Sequence, residues 1–532
     1  MALGTIVSRV TGFLRLLLIF WAIGALLDAD IFNSANTIPN AMYILVAGGV
    51  FNVVLVPQLV RAMRRDEDGG DAYANRIITL GLLVVGAATV VLVVAVPLLM
   101  RAVFASRLFE PQFTHQRESA EMLMYLCMPQ VFFYGAFVLV GQVLNARGRF
   151  GPMMWAPIVN NIVSSGVLLT YIALFGTSNG ADGFTSNEEL LLGLGSTAAI
   201  ALQAAVLVPY LRKAGFNFRP RFDFRRTGLG HTLRLGFWTV LFIIANQIAF
   251  VTINRLATGA TTEGAETKSD AAGSAVYEFG FLISQVPHGV ITVSLATAII
   301  PTLSSLAADH DYRRFRIELG RTVRIALVII VPLAVAVACL GRQMGTIAGL
   351  FGPLRGNTDN IGNTIATFAL AMVAFTIHYL MLRGFYADED NRTPFFIQVV
   401  IATVNVVVAI ILTSTVEPAR VAMMLALSYG IAYVVGSILS STLLARRVGS
   451  VYDREMIVFA GKLLCASAIA AFVMLGTALG LDAAGLDQSR PLGGLSTAGV
   501  AGAVGAVAYV AAAKILRMEQ LSYLVNTLRR RS

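Results

Sequence analysis

The chain has 532 residues, of which 57% are hydrophobic and 13% charged, and its mean hydropathy is +0.74. This composition is typical of a membrane protein and argues against a soluble enzyme. The net charge is +10, but the basic residues are spread over many separate loops. That distribution argues against nucleic-acid binding and fits attraction to anionic lipids at the inner surface of a membrane.

Fourteen apolar stretches follow one another along the chain, each about the 20 residues that a helix needs to cross a bilayer. They are continuous apolar runs, whereas a membrane β-barrel would show short alternating strands. We therefore predict an all-α protein with fourteen transmembrane helices. In chain order, the spans are Gly4–Leu27, Ile31–Leu59, Ile77–Met100, Met122–Asn145, Met153–Phe175, Leu190–Leu211, Leu235–Ala257, Ala275–Ala307, Val323–Leu340, Ile361–Leu382, Phe395–Leu412, Val421–Leu444, Ile457–Leu479 and Leu492–Leu516.

The orientation follows from the positions of Lys and Arg. The links after even-numbered spans and the C-terminal tail carry 26 of them, and the links after odd-numbered spans carry 8. The positive-inside rule therefore places both termini in the cytoplasm. The first span has Arg9 and Arg15 within it and no small-residue cleavage site after it, so it is not read as a cleavable signal peptide.

Ionisable residues inside apolar spans are the best indicators of a functional site, because each costs free energy to insert. Arg15 lies too deep in the first span to reach either surface, and Arg9 lies closer to the cytoplasmic face. Asp30 lies just after the first span, on the outer side. Arg255 lies near the outer end of span seven and Glu278 near the outer start of span eight, so these two residues form either cavity charges or a structural ion pair. His378, in span ten, is interpreted as a packed residue.

The chain contains a weak internal duplication. Pro39 and Pro57 of span two are echoed by Pro287 and Pro301 of span eight. The segment 144–152, with Asn160 and Asn161 beyond it, is echoed by 385–394 and Asn405. Both echoes are six spans apart, which predicts two six-helix lobes in a parallel repeat. The expected organisation is an N-lobe over 1–212, a C-lobe over 213–447, and helices 13 and 14 with a short tail over 448–532.

Motifs for covalent chemistry are absent from the sequence. The cysteines Cys127, Cys339 and Cys465 all lie within spans and have no metal-ligand or disulfide spacing. There is no phosphate-binding glycine loop and no catalytic dyad. We therefore expect no cofactor, no bound metal and a transporter instead of an enzyme. The glycines and serine at Gly4, Ser8 and Gly12 are interpreted as a close helix-packing face.

These residues carry a resemblance to the MurJ (MviN) family of lipid II flippases, of the multidrug/oligosaccharidyl-lipid/polysaccharide exporter superfamily. The first signature runs through Ser8-Arg9-Val-Thr-Gly-Phe-Leu-Arg15, then Asp30 to Pro39-Asn40, then Gly48 or Gly49 to Pro57. The second is Pro287-x-Gly289-Val290, followed by Ile300-Pro301-x-Leu303. The fourteen spans in a 6 + 6 + 2 layout are also similar, so the resemblance covers essentially the whole chain.

The resemblance implies a substrate-binding cavity with roles for Arg9, Arg15 and Asp30. The chain also departs from the family pattern. Span two has Tyr43 where an Arg is frequent, and span eight has Leu282 and Gln285 where the family often has Arg and Glu. Arg255 is a candidate replacement for the missing charge, and we include Glu278 and Gln285 in the predicted substrate site. Span eleven has Asn405 but no carboxylate, so no sodium site is predicted.

The function expected from the resemblance is the movement of undecaprenyl-diphosphate-linked disaccharide-pentapeptide from the inner to the outer leaflet, for cell-wall peptidoglycan synthesis and cell shape. The protein would lie in the bacterial cytoplasmic membrane, with lipid II and bilayer lipids as partners and other cell-wall or division proteins as further ones. Three alternatives stay open: a multidrug or polysaccharide-unit exporter, a scaffold, and a prenyl-phosphate transferase using the carboxylates Asp388-Glu389-Asp390.

Overall fold

The computed structural model describes residues 2–45, 70–178, 180–223, 229–350 and 358–520. Within these ranges the chain is helical and contains no β-strand. The second half of the predicted second span, with Gly48, Gly49, Pro57 and the basic link after it, lies outside the described residues.

Eighteen α-helices follow one another in the described ranges. Their bounds are α1 Ala2–Ala22, α2 Leu27–Tyr43, α3 Asp71–Val94, α4 Val96–Val103, α5 Thr114–Cys127, α6 Gln130–Ala146, α7 Gly151–Phe175, α8 Ser186–Ala205, α9 Leu207–Lys213, α10 Leu229–Thr267, α11 Ser274–Pro287, α12 Val293–Ala308, α13 Tyr312–Thr346, α14 Thr358–Ala387, α15 Arg392–Thr413, α16 Val421–Val448, α17 Arg454–Ala483 and α18 Pro491–Ile515.

Twelve helical segments in the described ranges are long and apolar enough to cross a membrane. They correspond to the predicted third to fourteenth spans, whereas α1 and α2 begin two and four residues before the predicted starts of the first two. The all-α membrane class is therefore confirmed, and the total of fourteen spans stays a prediction.

Chain contacts divide the protein into two compact units, residues 1–268 and 269–532. In the first unit, an apolar core forms where α3, α6 and α9 meet, and Leu139, Leu144, Leu207 and Phe216 are almost fully buried there. The long helix α10 also belongs to this unit, because it packs against α2 and α4. In the second unit, α13, α14 and α16 pack around a core that includes Leu319, Phe385 and Leu444, and the pair α17 and α18 packs against α13.

The predicted packing face of α1 lies against α7. A Cβ atom added to Gly4 would come within 3.5 Å of Trp155, and one added to Gly12 within 3.4 Å of Asn161. The Asn161 side-chain amide donates to the Ser8 carbonyl and the Thr11 hydroxyl, both at 3.0 Å. Small residues thus let the two backbones approach, and one amide fixes their register.

The two echoed segments form the same turn. At the end of α6, Gly148 has a positive φ and the Arg149 N–H donates to the Leu144 carbonyl at 2.8 Å. At the end of α14, Glu389 has a positive φ and the Asp390 N–H donates to the Phe385 carbonyl at 2.9 Å. This hydrogen-bond pattern is the one that ends a helix through a left-handed residue.

Candidate functional site

The first two helices place the predicted site residues of the first unit in different surroundings. Arg9 is exposed near the start of α1, and Arg15, nearly two turns later, is half-buried. Six residues at 100° each put the two side chains about 120° apart around the helix. They therefore point to two sides of α1.

An aromatic pair lies on α2 and α6 within the electrostatic range of Arg15. Its charge acts electrostatically on Tyr134 of α6, and the ring of Tyr134 stacks on Tyr43 of α2 with centroids 5.9 Å apart. Tyr43 occupies the place in span two where the resemblance led us to expect an Arg. The sequence analysis did not identify Tyr134, because an aromatic residue in an apolar span is ordinary.

Asp30 is fully buried at the first turn of α2. The Thr261 hydroxyl of α10 donates to its Oδ2 atom at 2.8 Å. A buried carboxylate needs such donors, because losing water without replacing its hydrogen bonds is costly. Asp30 is therefore placed by a partner from a helix more than two hundred residues away in the chain.

The Asp30 contact is one of a series of hydrogen bonds between α10 and α2. Asn254 exchanges hydrogen bonds with the Ser34 hydroxyl at 3.2 and 3.3 Å, and Gln247 donates to the Ala41 carbonyl. The three polar residues of α10 lie seven positions apart, which puts them on one helix face. We call Gln247, Asn254 and Thr261 the polar ladder. Its heptad spacing within an apolar helix was the signal in the sequence that could have found it.

Arg255 comes directly after Asn254 on α10, but its side chain contacts the end of α4 and the residues after it. Its Nη1 atom donates to the Arg101 carbonyl at 2.5 Å, and its Nη2 atom donates to the Ser106 hydroxyl at 2.6 Å. Arg101 lies in the last turn of α4, where carbonyl groups lack helical partners and a cation is favoured by the helix dipole. These contacts favour a structural role for Arg255.

The first turn of α2 carries a second buried carboxylate, Asp28. Asp28 accepts a hydrogen bond from the Gly183 N–H at 2.9 Å and a longer one from the Ser178 hydroxyl at 3.5 Å. Burial raises the pKa of Asp28 from its usual 3.8 to about 6, although these hydrogen bonds lower it again in part. The start of α2 is thereby tied to the link between α7 and α8.

In the second unit, the predicted residues Glu278 and Gln285 lie on α11 with Leu282 between them. Positions 278, 282 and 285 fall on one helix face, and all three side chains are half-buried. The neighbouring rings of Tyr277, Phe281, Phe368 and Tyr429 pack together with centroid distances of 5.2 to 6.4 Å. The helix face that carries Glu278 and Gln285 therefore lies next to an aromatic cluster.

The second sequence signature coincides with an irregular helical turn. Pro287 lacks a backbone N–H, and the five residues that follow, His288–Thr292, form a π-helical turn. His288 is buried, and its ring lies 4.4 Å from that of Phe375 and 4.8 Å from that of Tyr379. His378 is also buried and its Nδ1 atom lies 3.2 Å from the Ser440 hydroxyl. The packing role predicted for His378 agrees with these contacts.

In the carboxylate run considered for a transferase, Asp390 is bound by its own turn and by Arg447 of α16. Asp390 forms an ion pair with Arg447 at 2.7 Å, and its Oδ1 atom accepts from the Arg392 and Thr393 N–H groups at 2.9 and 3.0 Å. Although burial alone would raise the pKa of Asp390, these hydrogen bonds and the Arg447 charge hold it below its usual range. Among the described residues no group of His, Cys, Asp and Glu has the arrangement of a metal site. The run therefore gives the transferase reading no support.

Comparison with known proteins identifies the family. The sequence profile described as "Lipid II flippase MurJ" matches residues 19–484. The "Probable lipid II flippase MurJ" of Rhizobium tropici is 28% identical over 414 residues, which is 77% of this chain and 73% of the relative. That of Haemophilus influenzae is 26% identical over 422 residues, 75% of this chain and 77% of the relative.

Solved structures show the same fold. A structure titled "Lipid II flippase MurJ, inward closed conformation" has a TM-score of 0.73 and 17% identity, and covers 98% of this chain and 99% of that one. An inward-facing multidrug resistance MATE family transporter of the MOP superfamily has a TM-score of 0.65 and 14% identity, over 85% of this chain and 99% of that one. Because the family profile spans most of the sequence, this chain belongs to the lipid II flippase MurJ family of membrane transporters.

Proposed function

We propose that this chain translocates lipid II from the inner to the outer leaflet of the bacterial cytoplasmic membrane, by alternating access and for peptidoglycan synthesis. The observation that carries the proposal is the family match over residues 19–484. No bond of the substrate is made or broken in this reaction.

Each unit supplies its own proposed substrate residues, cationic in the first unit and polar in the second. Arg15, with Arg9 on the same helix, supplies charge for the diphosphate, because a guanidinium stays protonated and binds phosphate oxygens through two N–H groups. Asp30 holds the outer end of α2 through Thr261. Glu278 and Gln285 contribute hydrogen-bonding groups from the second unit for the sugar or peptide portion.

The proposed topology has fourteen spans, both termini in the cytoplasm, and two six-helix lobes followed by helices α17 and α18. The repeat is proposed from the two sequence echoes, which lie six spans apart. Rocking of one lobe against the other would then expose the site to each leaflet in turn. We also retain other cell-wall or division proteins as proposed partners.

A multidrug exporter shares the fold, as the similarity to the MATE transporter shows. Fold similarity does not select a substrate, because function depends on the site. An exporter of cationic drugs should have carboxylates in its cavity, whereas the intramembrane charges of α1 are arginines. The flippase reading is therefore preferred.

The direct test is leaflet translocation of lipid II in cells depleted of their own flippase. Expression of this chain should restore both growth and the appearance of lipid II in the outer leaflet. An inert control is the Arg314→Ala variant, because Arg314 is 77% exposed and its ion pair with Asp311 is local to the start of α13. A chain that accumulates in the membrane but restores neither growth nor translocation would contradict the proposal.

A further inference from the structure

A cavity of about 740 Å³ lies within the second unit, where the start of α17 meets α13 and the end of α18. It is separate from the residues assigned to lipid II. Five basic side chains and two glutamates line it, together with apolar side chains such as Ile325 and Phe459. The basic residues are Arg321, Arg324, Arg454, Lys462 and Arg517.

The positive charge of this cavity is only partly neutralised. Arg324 pairs with Glu455 at 3.3 Å, and the Lys462 ammonium group donates to the Arg517 carbonyl at 3.4 Å. The guanidinium groups of Arg454 and Arg517 have no carboxylate partner among the described residues. An anionic ligand would therefore find two uncommitted guanidinium groups in one cavity.

Arg517 occupies a backbone position that normally belongs to glycine. It ends α18 with φ at 51°, and the Met518 N–H donates to the Ala513 carbonyl at 3.0 Å, which closes the left-handed terminating turn. A side chain at this position is strained relative to glycine. An exposed arginine kept at a strained position indicates a role for its side chain.

Arg454 also lies at a position that is unfavourable for a cation. It is the first residue of α17, directly after the capping residue Asp453, whose side chain accepts from the Met456 N–H. Helix dipoles disfavour cations in the first turn. Two basic residues that their helices disfavour thus meet at one cavity, and such violations of local rules are expected where function requires them.

The walls of the cavity are suited to an amphiphile. α13, α17 and α18 are all candidate membrane spans, and Ile325, Val458 and Phe459 contribute apolar surface beside the charges. Lys462 lies two turns into α17, where a long stem reaches toward a membrane boundary. A free anion would use the charges alone, whereas a lipid would use both surfaces.

We propose that this cavity is a binding site for the phosphate-bearing headgroup of an anionic membrane phospholipid. Basic pockets between transmembrane helices recognise lipid phosphates in this way. The assignment of the cavity to the cytoplasmic leaflet rests on the topology given above, and the binding itself does not. The bound lipid would fix the start of α17 to the end of α18 and thereby hold the C-terminal helix pair.

The test measures binding of short-chain phosphatidylglycerol to the purified full-length chain in detergent, by native mass spectrometry. Arg517→Gly suits the left-handed position and Arg454→Glu suits the helix dipole, so both variants should fold with unchanged or higher thermal stability. Lys514→Ala is the matched control, because Lys514 is exposed in the last turn of α18 and does not line the cavity.

We expect each of the two cavity variants to bind phosphatidylglycerol about tenfold more weakly, with the Lys514→Ala variant unchanged. Phosphatidylcholine should bind weakly to all four proteins, and high salt should weaken the phosphatidylglycerol complex. Equal affinity of all four proteins for phosphatidylglycerol would overturn the site. Competition by inorganic phosphate at concentrations comparable to the lipid would assign a soluble ligand and overturn the lipid proposal. Lipid II translocation is measured separately, so its loss would contradict the flippase function without affecting this result.

Discussion

The Thr261 hydroxyl donates a hydrogen bond of 2.8 Å to the buried carboxylate of Asp30 and so joins α10 to α2. These residues are 231 positions apart in the chain. The bond matters because Asp30 belongs to the opening signature of the family, and its orientation depends on a helix that carries none of that signature. The predictions below begin with this pair.

Replacement of Thr261 by Val should destabilise the first unit by about 1–3 kcal/mol, since it removes a donor from a buried acceptor. The measurement is thermal unfolding of the purified protein in detergent. Thr252→Val is the matched control, because the Thr252 hydroxyl bonds only to the Ile248 carbonyl of its own helix at 2.9 Å. Equal stability of the two variants would show that the Asp30 contact contributes nothing.

Replacement of Arg15 by Ala should abolish lipid II translocation while the protein still accumulates in the membrane. The physical reason is the loss of a charge that cannot reach water from the middle of α1. Arg15→Lys should recover only part of the activity, because an ammonium group lacks the two-pronged geometry of guanidinium. Complementation of a flippase-depleted strain measures both variants, and full growth with Arg15→Ala would remove this residue from the site.

Replacement of Arg255 by Ala should lower the yield and stability of the protein, by about 1 kcal/mol, because the α4 carbonyl groups lose a cationic donor. Arg101→Ala is the control, as it removes a charge at the same helix end but keeps the Arg101 carbonyl. Leu282→Arg should not rescue the yield. If Arg255→Ala instead accumulates normally, loses translocation and regains it with Leu282→Arg, then Arg255 is a substrate residue.

The topology predicts opposite labelling of two exposed residues. A cysteine at Asp182, in the link after α7, should react with an impermeant reagent added to intact cells. A cysteine at Phe222, which is 68% exposed and follows α9, should react only after the membrane is opened. Cys127, Cys339 and Cys465 must be replaced first, because Cys465 is exposed. Reversed labelling would invert the proposed orientation.

Asp28 should make stability depend on pH in the acidic range. Its folded-state pKa is about 6 and its usual value is 3.8, so the folded protein binds the proton more tightly than the unfolded chain. The contribution of Asp28 to stability should therefore be largest below pH 4, fall as the pH rises to about 6, and stay level above that. Thermal unfolding across this range should show the slope in the native chain and a smaller one in Asp28→Asn. The control Asp270→Asn, at an exposed position, should keep the native slope.

The sequence alone determined the membrane class, the places of the third to fourteenth spans, and the family. Apolar runs near twenty residues long can only be helices in a bilayer, because the backbone must satisfy its own hydrogen bonds there. The signature around Arg9, Arg15 and Asp30 was readable for the same reason, since a charge in an apolar helix is conspicuous. The family identification is confirmed by the profile match over residues 19–484.

Only the tertiary structure decided which residues meet. The sequence of α10 does not show what Thr261, Asn254 and Gln247 contact, and only the packing of α2 against them shows their role. Likewise, only the contact with the end of α4 shows that Arg255 binds a helix end. Arg454 and Arg517 are 63 positions apart, and neither lies in a motif. Contacts between distant helices depend on how side chains of many segments fill space together, and this information is not contained in the periodicity of any one segment.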